Sequence, residues 1–211
     1  MTGNVNEESE QQDGKIRLAI FASGKGTTAQ AILEYYQKNN DCSYKPVLIV
    51  SSSPKAGVLD IAEEYDIPAS VIREQEYSEY DEFCDTLFSV LKIHSVEFIA
   101  LAGYLRKVPP SLLKKYPRSI VNTHPALLPK YGGQGMYGMN VHTAVSESGD
   151  SQTGCTVHWV DEEYDEGQII DQCIVEISPH AQPDMIAEQV QTAERQFYPF
   201  VLNRLLSAMQ E

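Results

Sequence analysis

The chain has 211 residues, 42% of them hydrophobic, enough for one sizeable core and in favour of a single domain. A formal net charge of −14 argues against nonspecific nucleic-acid or anionic-membrane binding, because the summed field repels a polyphosphate surface; a small anionic ligand in a locally positive pocket stays allowed. Cys42, Cys84, Cys155 and Cys173 are far apart and form no C-x-x-C pair, so reduced, mostly buried thiols in a cytoplasmic protein are expected, with no zinc site and no disulfide framework.

In chain order, MTGNVNEESEQQDG is polar and acidic where a signal peptide is basic and then apolar. It reads as a disordered tail, residues 1–14, ahead of one domain over residues 15–211. IRLAIFAS from Ile16 is a short apolar strand, SGKG a turn, and TTAQAILEYYQK a helix by its apolar spacing. PVLIVSSS is a second strand, GVLDIAEEYDI a helix and PASVI a third strand. EYDEFCDTLFSVLKIH is an amphipathic helix with Phe83, Leu87, Val90 and Leu91 on one face. EFIALAG, PPSLLKKY, SIVNTH and NVHTAVSESG continue the alternation as strand, helix, strand, helix. TGCTVHWV and GQIIDQCIVEI are two successive strands, and a last helix runs from about Pro183 to Met209. The pattern predicts a doubly wound α/β fold: a mostly parallel sheet, helices on both faces, and an antiparallel C-terminal edge. No apolar run approaches a membrane span in length.

Ligands of such sheets bind beyond the carboxyl ends of the strands. Four punctuated stretches fall there: SGKGTT, AGYLRKVP, NTHPALLPKYGGQGMYG and VDEEYDEG. SGKGTT turns a strand into a helix, so backbone N–H groups can face an anion that the helix N-terminus also favours. A Cβ at Gly26 is expected to intrude where that anion sits. The loop is neither a Walker loop nor a dinucleotide fingerprint, and by itself it suits a ligand-free tight turn equally well. Asn122 and His124, two apart on a strand, point the same way, and an amide donor beside an imidazole suits a developing oxyanion. A lone histidine is more often a hydrogen-bonded strand end, and Asp165 in DEEYDEG also fits a solvated turn. What favours chemistry is that all four groups fall on one edge of the predicted sheet.

From Ile16 to about Leu206 the chain resembles the folate-dependent glycinamide ribonucleotide formyltransferases of purine synthesis. AIFASGKGTTAQAI resembles the family's phosphate loop, AGYLRKV its folate-contacting strand end, and VNTHPALLPKYGG its Asn-x-His-Pro-x-Leu-Leu-Pro-x-Tyr core. YDEG matches its Asp-x-Gly loop and VQTAERQFYP a C-terminal element that contacts the ribonucleotide. The resemblance implies transfer of the formyl group of 10-formyltetrahydrofolate, a cosubstrate, to the amine of 5'-phosphoribosylglycinamide through a tetrahedral oxyanion, with no metal. It gives Asn122, His124 and Asp165 the catalytic roles: Asn122 and His124 stabilise the oxyanion, and Asp165 favours the charged imidazole and holds a proton-relaying water. Gly26, Thr27 and Thr28 would take the phosphate, with Gln191 and Glu194 near the ribose and glycinamide. Leu105, Arg106, Lys107 and Val108 would line the pterin site through backbone groups, with Asn122 beside them, opposite Asp161, Glu162, Glu163, Tyr164 and Asp165. Leu127 and Leu128 are read as core, and the glycines at 132, 133, 135 and 138 as a lid.

Two positions depart from the family pattern. Thr28 stands where many members have Asn, so a hydroxyl replaces an amide at the phosphate and Lys25 supplies charge. Tyr80 falls near a family arginine that reaches the folate tail. Among rivals, methionyl-tRNA formyltransferase needs an RNA-binding domain and formyltetrahydrofolate hydrolase an N-terminal regulatory domain; sugar-nucleotide formyltransferases lack the SGKGTT type of loop. A noncatalytic nucleotide-binding α/β module would need SGKGTT alone and gives no reason to keep Asn122, His124 and Asp165 together. The expected partners are small-molecule substrates, with no nucleic acid or membrane, and the expected state is monomer or homodimer.

Overall fold

The computed structural model describes residues 14–210, so the expected tail lies outside the described residues except for Gly14. The β-branched, apolar segment Ile16–Ala22 forms β1, and helix α1 (Thr27–Lys38) follows the glycine turn. Then come β2 (Tyr44–Ser51), α2 (Val58–Glu64), β3 (Ala69–Val71), α3 (Tyr80–Ile93), β4 (Phe98–Leu101), α4 (Pro110–Lys115) and β5 (Ile120–His124). The chain continues through α5 (Met139–Ser148), β6 (Gln152–Trp159), β7 (Ile169–Glu176) and α6 (Pro183–Ala208). A 3-10 turn at Glu74–Glu76, which periodicity does not reveal, connects β3 to α3.

The seven strands form one sheet in the order β3-β2-β1-β4-β5-β6-β7. Pairs within β3-β2-β1-β4-β5 are parallel, and β5-β6 and β6-β7 are antiparallel. This is the doubly wound sheet with an antiparallel C-terminal edge that the sequence predicts. Strand order reverses between β1 and β4, so their carboxyl ends diverge from the crossover connections and leave the crevice where such sheets bind ligands.

Both faces of β2, β1, β4 and β5 are buried, as continuous apolar runs require, while the edge strand β3 is largely exposed. Leu18, Ile20, Ile49, Phe98 and Val121 face α1, α2 and α6, while Ala19, Phe21, Leu48, Val50 and Ile99 face α3 and α4. On α3 the buried set is Phe83, Cys84, Leu87 and Leu91; Cys84 replaces Val90, which is only partly buried. Truncating a side chain such as Leu48 to Ala costs about 2–5 kcal/mol in a core of this kind. α5 packs on α6 and β6 around Val145, Cys155 and Val190. Three of the four cysteines are buried, and Cys173 is half-buried.

The last helix ties the sheet together. Tyr198 on α6 is fully buried, and its hydroxyl donates to the carbonyls of Leu101 at 3.1 Å and Val121 at 3.3 Å, on β4 and β5. Burial holds this phenol well above its ordinary pKa, so it stays a donor.

Candidate active site

The site grows from the carboxyl ends of β1, β4 and β5. At the switch point the Ser23 N–H donates to the Gly103 carbonyl at 3.1 Å, and the Leu105 N–H donates to Ser23 Oγ at 3.0 Å. The SGKG loop and the AGYLRKV segment are thereby joined, which brings the expected phosphate and folate segments side by side.

Gly26 precedes α1 with a left-handed φ of 81°, a conformation glycine adopts without strain. No side chain caps α1, so its first N–H groups stay available to an anion. The structure supplies a reason for glycine at this position apart from any anion. A Cβ here would lie 2.7 Å from Val58 Cα and 2.8 Å from Ile61 Cδ1, so it collides with α2. The Thr28 hydroxyl donates to Glu194 Oε1 at 2.9 Å, so it is directed at α6. Lys25 is exposed at the loop, Thr27 is exposed on the first turn of α1, and Gln191 is exposed one turn before Glu194.

Asn122 and His124 share one face of β5, and Asp165 approaches them from the loop after β6. His124 is 3% exposed. Its Nε2–H donates to the Tyr131 carbonyl at 2.8 Å and its Nδ1 lies 3.4 Å from Asp165 Oδ2. Both ring nitrogens face oxygen acceptors, so a ring carrying both N–H groups satisfies both. Asp165 also accepts the Gly133 N–H at 3.0 Å. Burial pushes the Asp165 carboxyl up, but the hydrogen bond and charge of His124 and the Gly133 N–H outweigh it and hold it well below the usual carboxylate range.

His158 was not among the residues the sequence singled out. It stands directly across from Asn122 in the antiparallel β5-β6 register and is 2% exposed. Its Nδ1–H donates to the Trp159 carbonyl at 2.9 Å, which leaves Nε2 to accept the Asn122 amide N–H at 3.1 Å; Asp165 Oδ1 is 3.6 Å from the same nitrogen. The signal in the sequence was a histidine interrupting the buried strand TGCTVHWV.

Around this cluster, Val108 is buried while Leu105, Arg106 and Lys107 are exposed, as are Asp161, Glu162, Glu163 and Tyr164. Lys107 Nζ lies 5.6 Å from the Tyr164 ring centre, so the two segments face one another across the mouth of the site. Leu128 is buried and Leu127 half-buried, consistent with a packing role. Gly133, Gly135 and Gly138 take positive φ, and a Cβ at Gly132 would meet Leu128 Cδ2 at 2.5 Å. Tyr80 packs against Phe83 at the start of α3, with ring centres 5.8 Å apart.

A family model described as Formyl transferase matches residues 16–202. The phosphoribosylglycinamide formyltransferase of Bacillus subtilis is 36% identical over 191 residues, covering 90% of this chain and 94% of the relative. The chloroplastic phosphoribosylglycinamide formyltransferase of Arabidopsis thaliana is 35% identical over 198 residues, 93% of this chain and 68% of that protein. The crystal structure of glycinamide ribonucleotide transformylase 1 from Geobacillus kaustophilus superposes with a TM-score of 0.83 at 37% identity, covering 91% of this chain and 99% of that one. A formyltetrahydrofolate deformylase from Pseudomonas syringae shares the fold at TM-score 0.80, with 21% identity. The fold and the matched length define a formyltransferase of the doubly wound α/β type. The chain belongs to the formyl transferase family, and the relatives that match it along nearly their whole length are phosphoribosylglycinamide formyltransferases.

Proposed function

We propose that this chain transfers the formyl group of 10-formyltetrahydrofolate to the amine of 5'-phosphoribosylglycinamide, a step of purine biosynthesis. The observation that carries the reading is the meeting of Asn122, His124 and Asp165 beside a glycine-turned helix N-terminus. Relatives of that name, matched over 90% or more of this chain, support it.

Asn122 keeps one amide N–H after its bond to His158 and offers it to the oxyanion that forms when the amine attacks the formyl carbon. His124 donates to the same oxygen and assists proton transfer to the leaving folate nitrogen. The Tyr131 carbonyl now holds His124 Nε2, and the glycine-rich segment after Tyr131 moves to release it when substrate closes the site. Asp165 remains ionised near neutral pH, balances the imidazolium and holds the water that relays the amine proton. The N–H groups of Gly26, Thr27 and Thr28 take the phosphate. Gln191 and Glu194 take the ribose and glycinamide end. The folate lies between Leu105 to Val108 and Asp161 to Asp165.

We read residues 15–211 as one domain acting as a monomer or homodimer on small molecules. Among the described residues no helix is long and apolar enough to cross a membrane, and all four cysteines are free, which suits the cytoplasm. The test is to mix the purified protein with both substrates and follow tetrahydrofolate release. Release is expected to require the ribonucleotide. Release without it would identify a hydrolase instead.

A further inference from the structure

Glu194 is a carboxylate of 8% exposure that accepts, among the described residues, a single hydrogen bond, from Thr28. The groups that bear on it come from each element packed around it: Thr28 on α1, His124 on β5, Cys155 on β6, and Arg195 and Tyr198 on α6. Among the described residues only Thr28 bonds to it, since the Arg195 guanidinium turns back to Thr192 at 3.2 Å. A carboxylate has about four acceptor positions, so most of this one's capacity is unused where little water reaches. Burial pushes its pKa up to about 7, as expected of an anion short of donors. A ligand that brings hydroxyl donors completes it.

A hydroxyl carries one proton to donate. Thr28 directs its proton to Glu194, so none is left for a phosphate, which falls to the backbone N–H groups of the α1 N-terminus. The Thr28 side chain therefore serves the opposite end of the ribonucleotide from the one its place in the phosphate loop suggests. Resting on the reading of this chain as a glycinamide ribonucleotide enzyme, we propose that Thr28 is a positioning residue whose hydroxyl orients Glu194 so that the free carboxylate oxygen meets the ribose hydroxyls.

The test compares Thr28→Val, Thr28→Ser, Glu194→Gln and the Thr28→Val/Glu194→Gln double variant in steady-state kinetics, with inorganic phosphate as an inhibitor competing with the ribonucleotide. Thr28→Val should raise KM for the ribonucleotide by about tenfold, the equivalent of one hydrogen bond to a charged group, with the effect on KM rather than kcat. Phosphate inhibition should keep its strength, and Thr28→Ser should restore KM. Losing the Thr28 bond removes an influence that lowers the Glu194 pKa, so the limb of the kcat/KM profile near pH 7 should move to higher pH. In the double variant the effects should not add. Phosphate inhibition weakened by the same factor as KM, or strictly additive effects, would overturn the proposal; if Thr28→Val does not fold, Thr28→Ala decides by the same measurements. A wild-type protein that ignores the ribonucleotide overturns the proposed function, and this inference with it, whereas an active wild type with unaffected variants overturns this inference alone.

Discussion

Asn122 and His158 meet across two strands, and one hydrogen bond orients both side chains. Replacing Asn122 with Ala should lower turnover on the order of a hundredfold by removing an oxyanion donor. It also strands the Nε2 of a fully buried imidazole, which costs about 1–3 kcal/mol, so the melting temperature should fall by several degrees as well. From the sequence alone a purely chemical loss is expected; the cross-strand partner is what adds the stability cost. Kinetics per folded molecule and a thermal melt separate the two, and intact turnover in the folded fraction would remove Asn122 from the chemistry. Asp165 supplies a pH-dependent case. Its folded pKa is depressed, so its contribution is present above its unfolded pKa and is lost as pH falls through the folded value. Asp165→Asn should therefore be less stable than the wild type by about 2 kcal/mol near neutrality, with the gap closing below roughly pH 4. Urea unfolding of both proteins from pH 7 downward measures this; a gap independent of pH would mean that the carboxylate's charge contributes nothing.

At the scale of elements, Gly26 joins α1 to α2 and cannot carry a side chain without displacing one of them. Gly26→Val should cost about 2–4 kcal/mol, from a strained left-handed φ together with the collision at Val58. Its thermal midpoint should drop before any change in ribonucleotide KM is interpreted; a variant with wild-type stability and weakened phosphate inhibition alone would restore the anion as the reason for the glycine. The elements themselves were legible because apolar periodicity and glycine or proline punctuation are local. α1 begins and ends where its spacing predicts, while β2 starts two residues earlier, at Tyr44, than its apolar run suggests, because Tyr44 is buried beside α1. Asn122, His124 and Asp165 were legible because they sit in ordered motifs. His158 was not, since strand register decides which residue faces Asn122. The Thr28 to Glu194 bond spans 166 residues and leaves no trace in either local sequence.

Over the whole molecule, α6 contributes the core of one face, the carboxylate that Thr28 holds, and the Tyr198 hydroxyl that bridges β4 and β5. Tyr198→Phe should cost about 1–3 kcal/mol, because two buried carbonyls lose their shared donor. Denaturant unfolding measures this, and an unchanged midpoint would mean that apolar packing alone seats the helix. The order of synthesis gives this arrangement a further consequence. A chain growing from its N-terminus has made the strands of the parallel core and the cluster of Asn122, His124 and Asp165 long before α6 emerges, and domains begin to fold during synthesis. Until then the apolar residues of β1, β4 and β5 on that side lack their last covering helix. On the ribosome the nascent protein therefore passes through an interval in which its future ligand crevice is outlined and its sheet is sticky, and the interval closes only when α6 has left the exit tunnel.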